Sequence, residues 1–143
     1  MADRFSKEVR SKVMKSVRSK TKFEDRVFSE LWRQGVRFRR NVNGLEGKPD
    51  LAIKKYKVVI FLDSCFWHVC PIHKSFPKSN EEFWVKKLQK NVERDKVVTE
   101  FYLKKGWNIL RVWEHEIKTD FRGSIDQMIV FIDEAKKQYS NKS

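Results

Sequence analysis

Large apolar side chains recur in this chain first at helical spacing, then at strand spacing, then at helical spacing again. Phe23, Val27 and Leu31 step by four and share one face of a helix with Phe28 and Trp32 beside them. Thr21 and Glu24 have the spacing of a capping box, and Gly35 suits the position just past the helix end. The segment VRFRRNV then alternates, which predicts a strand with Val36, Phe38 and Val42 on one face. Asn43-Gly44 and Gly47-Lys48-Pro49 interrupt the pattern as loop signals. LAI and KVVIFL follow around the short turn Lys54-Lys55-Tyr56 and read as a hairpin. KVVIFL is apolar at nearly every position, so it predicts a central strand buried on both faces.

Ser79 or Asn80 caps a long helix over EEFWVKKLQKNVERDKVVTEFYLKK, which Gly106 ends. Its buried side is marked by Phe83, Leu88, Val92, Val98 or Thr99, Tyr102 and Leu103. WNILRVW is a further strand, and GSIDQMIVFIDEAKKQ a last amphipathic helix before a polar tail, QYSNKS, that frays. At the other end, Val9, Val13 and Val17 allow a short helix in an otherwise basic stretch. The order is helix, three strands, long helix, strand, helix, which predicts an α/β fold with a mixed central sheet flanked by helices. We expect a basic arm over residues 1–20 and one domain over 21–143.

Charge sharpens this picture. The 143 residues carry a formal net charge of +13, on a composition that is 40% hydrophobic and 13% aromatic. Such a chain folds, and its self-repulsion calls for a polyanionic partner, nucleic acid before a membrane surface. No apolar run approaches the roughly 20 residues of a membrane span, and the N-terminal residues lack the apolar core of a signal peptide.

The chemistry concentrates in DSCFWHVCPIH, residues 63–73, which holds both cysteines and two of the three histidines. Cys65, Cys70 and His73 have a close spacing suited to zinc, and reduced thiols beside histidines suit a metal better than a disulfide. If WNILRVW lies parallel to KVVIFL, His115 reaches the same sheet edge and supplies the fourth ligand. One histidine, His68 or His115, is then left for chemistry. The spacing does not match a zinc deaminase, which needs His-x-Glu and Pro-Cys-x-x-Cys. Asp50 precedes one hairpin strand and Asp63 ends the next, where paired carboxylates could hold Mg2+. Glu24 could add a contact, and His68 could deprotonate an attacking water.

The run GKPD…KVVIFLDSCFWHVCPIH…FWVKKLQKNVERD…GWNILRVWEHE resembles the very short patch repair (Vsr) endonucleases, with RSKVMKSVRSKTKFE adding to the match. The resemblance spans roughly residues 9–118. It implies a restriction-endonuclease-like fold, a structural Zn2+ and Mg2+-dependent nicking of duplex DNA on the 5′ side of the T in a T:G mismatch. Such mismatches arise when 5-methylcytosine deaminates, which implies a functional link to a DNA cytosine methyltransferase. The resemblance further implies a monomer acting on DNA in the bacterial cytoplasm.

Carried over by position, Asp50 resembles the central metal-binding aspartate, Leu62 offers its backbone carbonyl to the same Mg2+, His68 resembles the general base, and Glu24 supports the site. Cys65, Cys70, His73 and His115 fall in the zinc-ligand region. Phe66, Trp67 and Trp84 would form an aromatic wedge, for which a poorly stacked mismatch lowers the cost of intercalation. Lys87 and Asn91 would read the mismatch from one groove and Met14 from the other. The best-known members carry His where this chain has Asp63, so Asp63 is either a metal ligand or a neighbour that orients His68. Two rivals stand beside this reading: a non-catalytic zinc-containing DNA-binding module, and a restriction-type nuclease cutting fully paired sites.

Overall fold

The computed structural model describes residues 22–64, 68 and 81–142. Helix α1 covers residues 22–33. It is followed by strands β1 (Arg39–Arg40) and β2 (Leu51–Ile53), a single 3-10 turn (Lys54–Tyr56) and strand β3 (Val58–Asp63). Helix α2 (Glu81–Lys104), strand β4 (Asn108–Trp113) and helices α3 (Glu114–Thr119) and α4 (Phe121–Lys142) complete the order. The sheet runs β1-β2-β3-β4. The first two pairings are antiparallel and β3 pairs parallel with β4, in a register that ends both strands together at Asp63↔Trp113.

The expected double burial of β3 is what organises the molecule. Every residue of the strand is buried, and its side chains alternate between two apolar layers. Val58, Ile60 and Leu62 join Phe23, Val27 and Leu31 of α1 and Ile125, Met128 and Ile132 of α4 on one face. Val59 and Phe61 meet Val98 and Tyr102 of α2 on the other. A mixed α/β sheet with helices on both faces is therefore the fold.

Several boundaries differ from the sequence pattern. The strand expected over VRFRRNV contracts to Arg39–Arg40, because Asn41 adopts a left-handed φ of 48°. That breaks the alternation: Val36 and Phe38 pack with the α1 layer, but Val42 packs with the α2 layer. On α2 the buried residues are Trp84, Leu88, Val98 and Tyr102. Phe83 and Leu103, expected on that side, are 37% and 60% exposed. Each lies one residue from a buried ring, and one residue is 100° around a helix.

The C-terminal segment does not fray after residue 138; α4 continues to Lys142. It begins earlier than the apolar pattern suggests because Asp120 caps it. The Gly123 N–H donates to Asp120 Oδ1 at 3.0 Å and the Ser124 N–H to the Asp120 carbonyl at 3.0 Å. A Cβ on Gly123 would meet Asp120 Oδ2 at 2.2 Å, so a larger residue there would displace the capping carboxylate. No helix among the described residues is long and apolar enough to cross a membrane. The basic arm expected over residues 1–20 lies outside the described residues.

Candidate functional site

The C-terminal end of β3 carries the chemistry. Alternation that sends Leu62 into the α1 layer turns Asp63 towards α2, the same side as Phe61. Arg111 sits opposite Phe61 in the parallel register and lies over its ring, with the guanidinium carbon 4.3 Å from the centroid. From there Nη1 donates to both Asp63 oxygens, at 3.0 and 3.1 Å. Nη2 donates to the Asp95 carbonyl at 3.2 Å, and Nε to Thr99 Oγ1 at 2.8 Å. Arg111 thus ties the ends of β3 and β4 to the middle of α2.

His68 completes the cluster. Its backbone N–H donates to the Ser64 carbonyl at 3.2 Å, which holds His68 at the strand end. Its Nδ1 lies 2.5 Å from Asp95 Oδ2, and its Nε2 lies 3.7 Å from Asp63 Oδ1. An ionised carboxylate only accepts, so Nδ1 carries the hydrogen of that contact, and Nε2 presents a lone pair whenever the ring is neutral. Burial pushes the Asp63 carboxyl above its ordinary range, and nearby Asp95 adds to this; the charges of His68 and Arg111 pull against it.

Asp50 is buried at the mouth of the hairpin, and its Oδ2 accepts the Leu62 N–H at 2.7 Å. Continuing the register past Leu51↔Ile60 sets Asp50 opposite Phe61, and its carboxylate oxygen, not a backbone carbonyl, takes the Leu62 N–H. The Asp50 side chain substitutes for backbone there. In an extended residue the N–H and C=O point to the same side, so the Leu62 carbonyl faces the Asp50 edge as well. Two hard oxygen donors at one strand end suit Mg2+, and this part of the expected donor set fits.

The loop holding Asp50 is pinned from both directions. The Asn41 and Val42 N–H groups donate to the Asp50 and Pro49 carbonyls, at 3.1 and 3.2 Å. The Tyr102 hydroxyl donates to the Glu46 carbonyl at 2.5 Å, and burial, with the Glu46 charge, raises that phenol to about 12. Gly47, at a φ of 74°, packs so closely on α2 that a Cβ would meet Val98 Cγ1 at 2.6 Å.

The expected residues are distributed as follows. Asp50 and Leu62 meet, and Asp63 and His68 meet, but the two aspartates take different partners. Glu24 lies partly buried on α1 next to the core residue Phe23. Lys87 is exposed, its ammonium 6.0 Å from the Phe83 ring and 5.9 Å from the Trp84 ring, with Asn91 partly buried one turn on. Trp84, expected to be an exposed wedge ring, is only 1% exposed, and Phe83 is the outer ring of the pair. His115, in the first turn of α3, stacks on Trp113 with centroids 6.4 Å apart. The parallel pairing on which its expected place depends is present, since β3 and β4 end level at Asp63 and Trp113. Cys65, Cys70, His73, Phe66, Trp67 and Met14 lie outside the described residues. Among the described residues no group of three His, Cys, Asp or Glu side chains is arranged to hold a metal ion.

Sequence reasoning assigned no role to Asp95 or Arg111. Both carried a signal. Asp95 falls on the helical stripe between Leu88 and Val98, so a carboxylate interrupts a buried face. Arg111 interrupts the apolar strand NILRVW.

Residues 2–74 match the model of the DNA mismatch endonuclease Vsr family. The chain is 45% identical over 104 residues to the type II nicking enzyme V.NaeI of Lentzea aerocolonigenes, covering 69% of this chain and 63% of that protein. It is 44% identical over 121 residues to the type II nicking enzyme V.NmeAIP of Neisseria meningitidis, covering 82% of this chain and 86% of that one. It is 41% identical over 117 residues to the DNA mismatch endonuclease Vsr of Escherichia coli, covering 80% and 74%.

Proposed function

The chain belongs to the DNA mismatch endonuclease Vsr family, and from that premise we propose that it is a DNA endonuclease that nicks duplex DNA on the 5′ side of the T in a T:G mismatch. Mg2+ at Asp50 and the Leu62 carbonyl would polarise the scissile phosphate and stabilise the leaving oxygen. The observation that carries the reading is the placement of His68. It stands just past the end of β3, the strand whose Leu62 meets Asp50, with Nδ1 anchored on Asp95 and Nε2 on the side of Asp63.

His68 Nε2 takes a proton from the attacking water as its oxygen bonds to phosphorus. The bond from phosphorus to the leaving oxygen breaks in line, and that oxygen takes up a proton from solvent water. Asp95 fixes the ring and balances the imidazolium that forms. Asp63 is bound to Arg111, which favours its role as a neighbour of His68 over that of a metal ligand. Glu24 supports the site from α1. Zn2+ on Cys65, Cys70, His73 and His115 would staple the segment that carries Phe66, Trp67 and His68. Those two aromatics would then wedge the mismatch, Lys87 and Asn91 would read it from α2, and Trp84 would hold that turn of the helix from beneath. Met14 would contact DNA from the basic arm. The protein acts as a monomer and serves sites of cytosine methylation.

The test is cleavage of labelled T:G and fully paired duplexes in several methylation-site contexts, with Mg2+ and with EDTA, alongside an Asp50→Ala variant. Mg2+-dependent nicking beside the mismatched T, lost in the variant, is the expected result. Cutting of paired DNA would replace it with a restriction-type activity. Tight binding without cutting in any context would leave a zinc-containing binding module.

A further inference from the structure

His68 lies between two carboxylates, and only one of them is placed to help it act as a base. Asp95 holds Nδ1 at 2.5 Å, whereas Asp63 approaches Nε2 at 3.7 Å, beyond hydrogen-bond range. If Asp63 closed that gap, it would capture Nε2, and the nitrogen needed for the attacking water would be occupied. A carboxylate this buried, with its side chain 5% exposed, needs a hydrogen-bonded cationic partner, and the imidazole is within reach.

Arg111 prevents this. A single nitrogen, Nη1, bridges both Asp63 oxygens at 3.0 and 3.1 Å, while lying 3.9 Å from Asp95 Oδ1. The guanidinium itself is locked by Thr99 Oγ1, the Asp95 carbonyl and the face of Phe61. Its planar fork serves β3 and α2 at once, which a lysine ammonium cannot reproduce. We infer that Arg111 is a positioning residue that partitions the two carboxylates around His68, holding Asp63 back from Nε2 so that only Asp95 engages the ring. This rests on the reading of His68 as the general base.

The test is a double-mutant cycle. Arg111→Gln frees Asp63, and its single-turnover nicking rate falls roughly 10- to 100-fold, within the range ascribed to general-base catalysis, while the duplex Kd is unchanged. Adding Asp63→Asn removes the competing carboxylate and restores most of that loss. Arg111→Lys, which keeps the charge and loses the fork, is intermediate. A second readout does not need nicking: imidazole 15N spectra show Nε2 of His68 unprotonated in the wild type and hydrogen-bonded in Arg111→Gln. An unchanged rate in Arg111→Gln would overturn the inference. So would a folded double variant no faster than Arg111→Gln, or identical imidazole spectra in the wild type, Arg111→Gln and Arg111→Lys. If the wild type nicks no duplex, the functional reading fails by itself, and the spectra still decide the role of Arg111.

Discussion

At the scale of single residues, the cluster is arranged around one imidazole. The 2.5 Å contact from His68 Nδ1 to Asp95 fixes the ring, and the anchor is a side chain on a different element. Asp95→Asn should therefore lower the nicking rate by about 10- to 100-fold with little change in KM, since it alters the base and not the DNA contacts. Steady-state kinetics on a mismatched duplex check this; a change confined to KM would contradict it. Asp63 predicts a pH effect on stability. Its folded carboxyl titrates above the free value of 3.8 because burial disfavours the charge. Between those values the native state binds more protons than the unfolded chain, so this group's contribution falls as pH rises through the folded value. The unfolding free energy of the wild type minus that of Asp63→Asn should decline with rising pH across that window. Urea titrations at several pH values measure it, and a flat difference would show that Arg111 fully offsets the burial.

At the scale of elements, the sheet edge that bears Asp50 depends on a loop pressed against a helix. Gly47 has both a positive φ and a contact that leaves no room for a Cβ beside Val98. Gly47→Ala should destabilise by about 1–3 kcal/mol, through backbone strain and overpacking. Tyr102→Phe, which leaves the Glu46 carbonyl without its donor, should cost about 1 kcal/mol. Denaturant midpoints report both, and unchanged midpoints would mean that the loop yields without cost. The α2 stripe also shows how far periodicity can be read. The helix and its ends were legible, and so was Leu88; the choice between Phe83 and Trp84 was not. Neighbouring aromatics differ by 100°, and the pattern fits either until β3 and the loops define the direction of the core.

At the scale of the whole molecule, the +13 charge sets the terms of association. Duplex binding should weaken steeply with salt, with a log–log slope of about −0.9 for each phosphate neutralised. Substituting a basic residue that pairs with a phosphate should reduce that slope by about one unit. Fluorescence anisotropy from low to physiological salt tests both, and a salt-insensitive Kd would exclude a phosphate-tracking surface.

The sequence by itself determined the doubly buried central strand, since KVVIFL can be satisfied only by cover on both faces. It also determined the short stretch after that strand in which the chemistry-bearing residues gather, and the family, through motifs too specific to recur by accident. Leu62, Asp63 and His68 lie in that strand or just past it and Asp50 just before its hairpin partner, so their neighbourhood, though not their partners, could be read from the chain. Tertiary structure alone decided who partners whom. Parallel pairing of β3 with β4 brought Arg111 beside Asp63, and the docking of α2 brought Asp95 onto His68 across a separation of 27 residues. Those contacts join residues distant in the chain, and local periodicity records which face a residue takes but not which element that face meets.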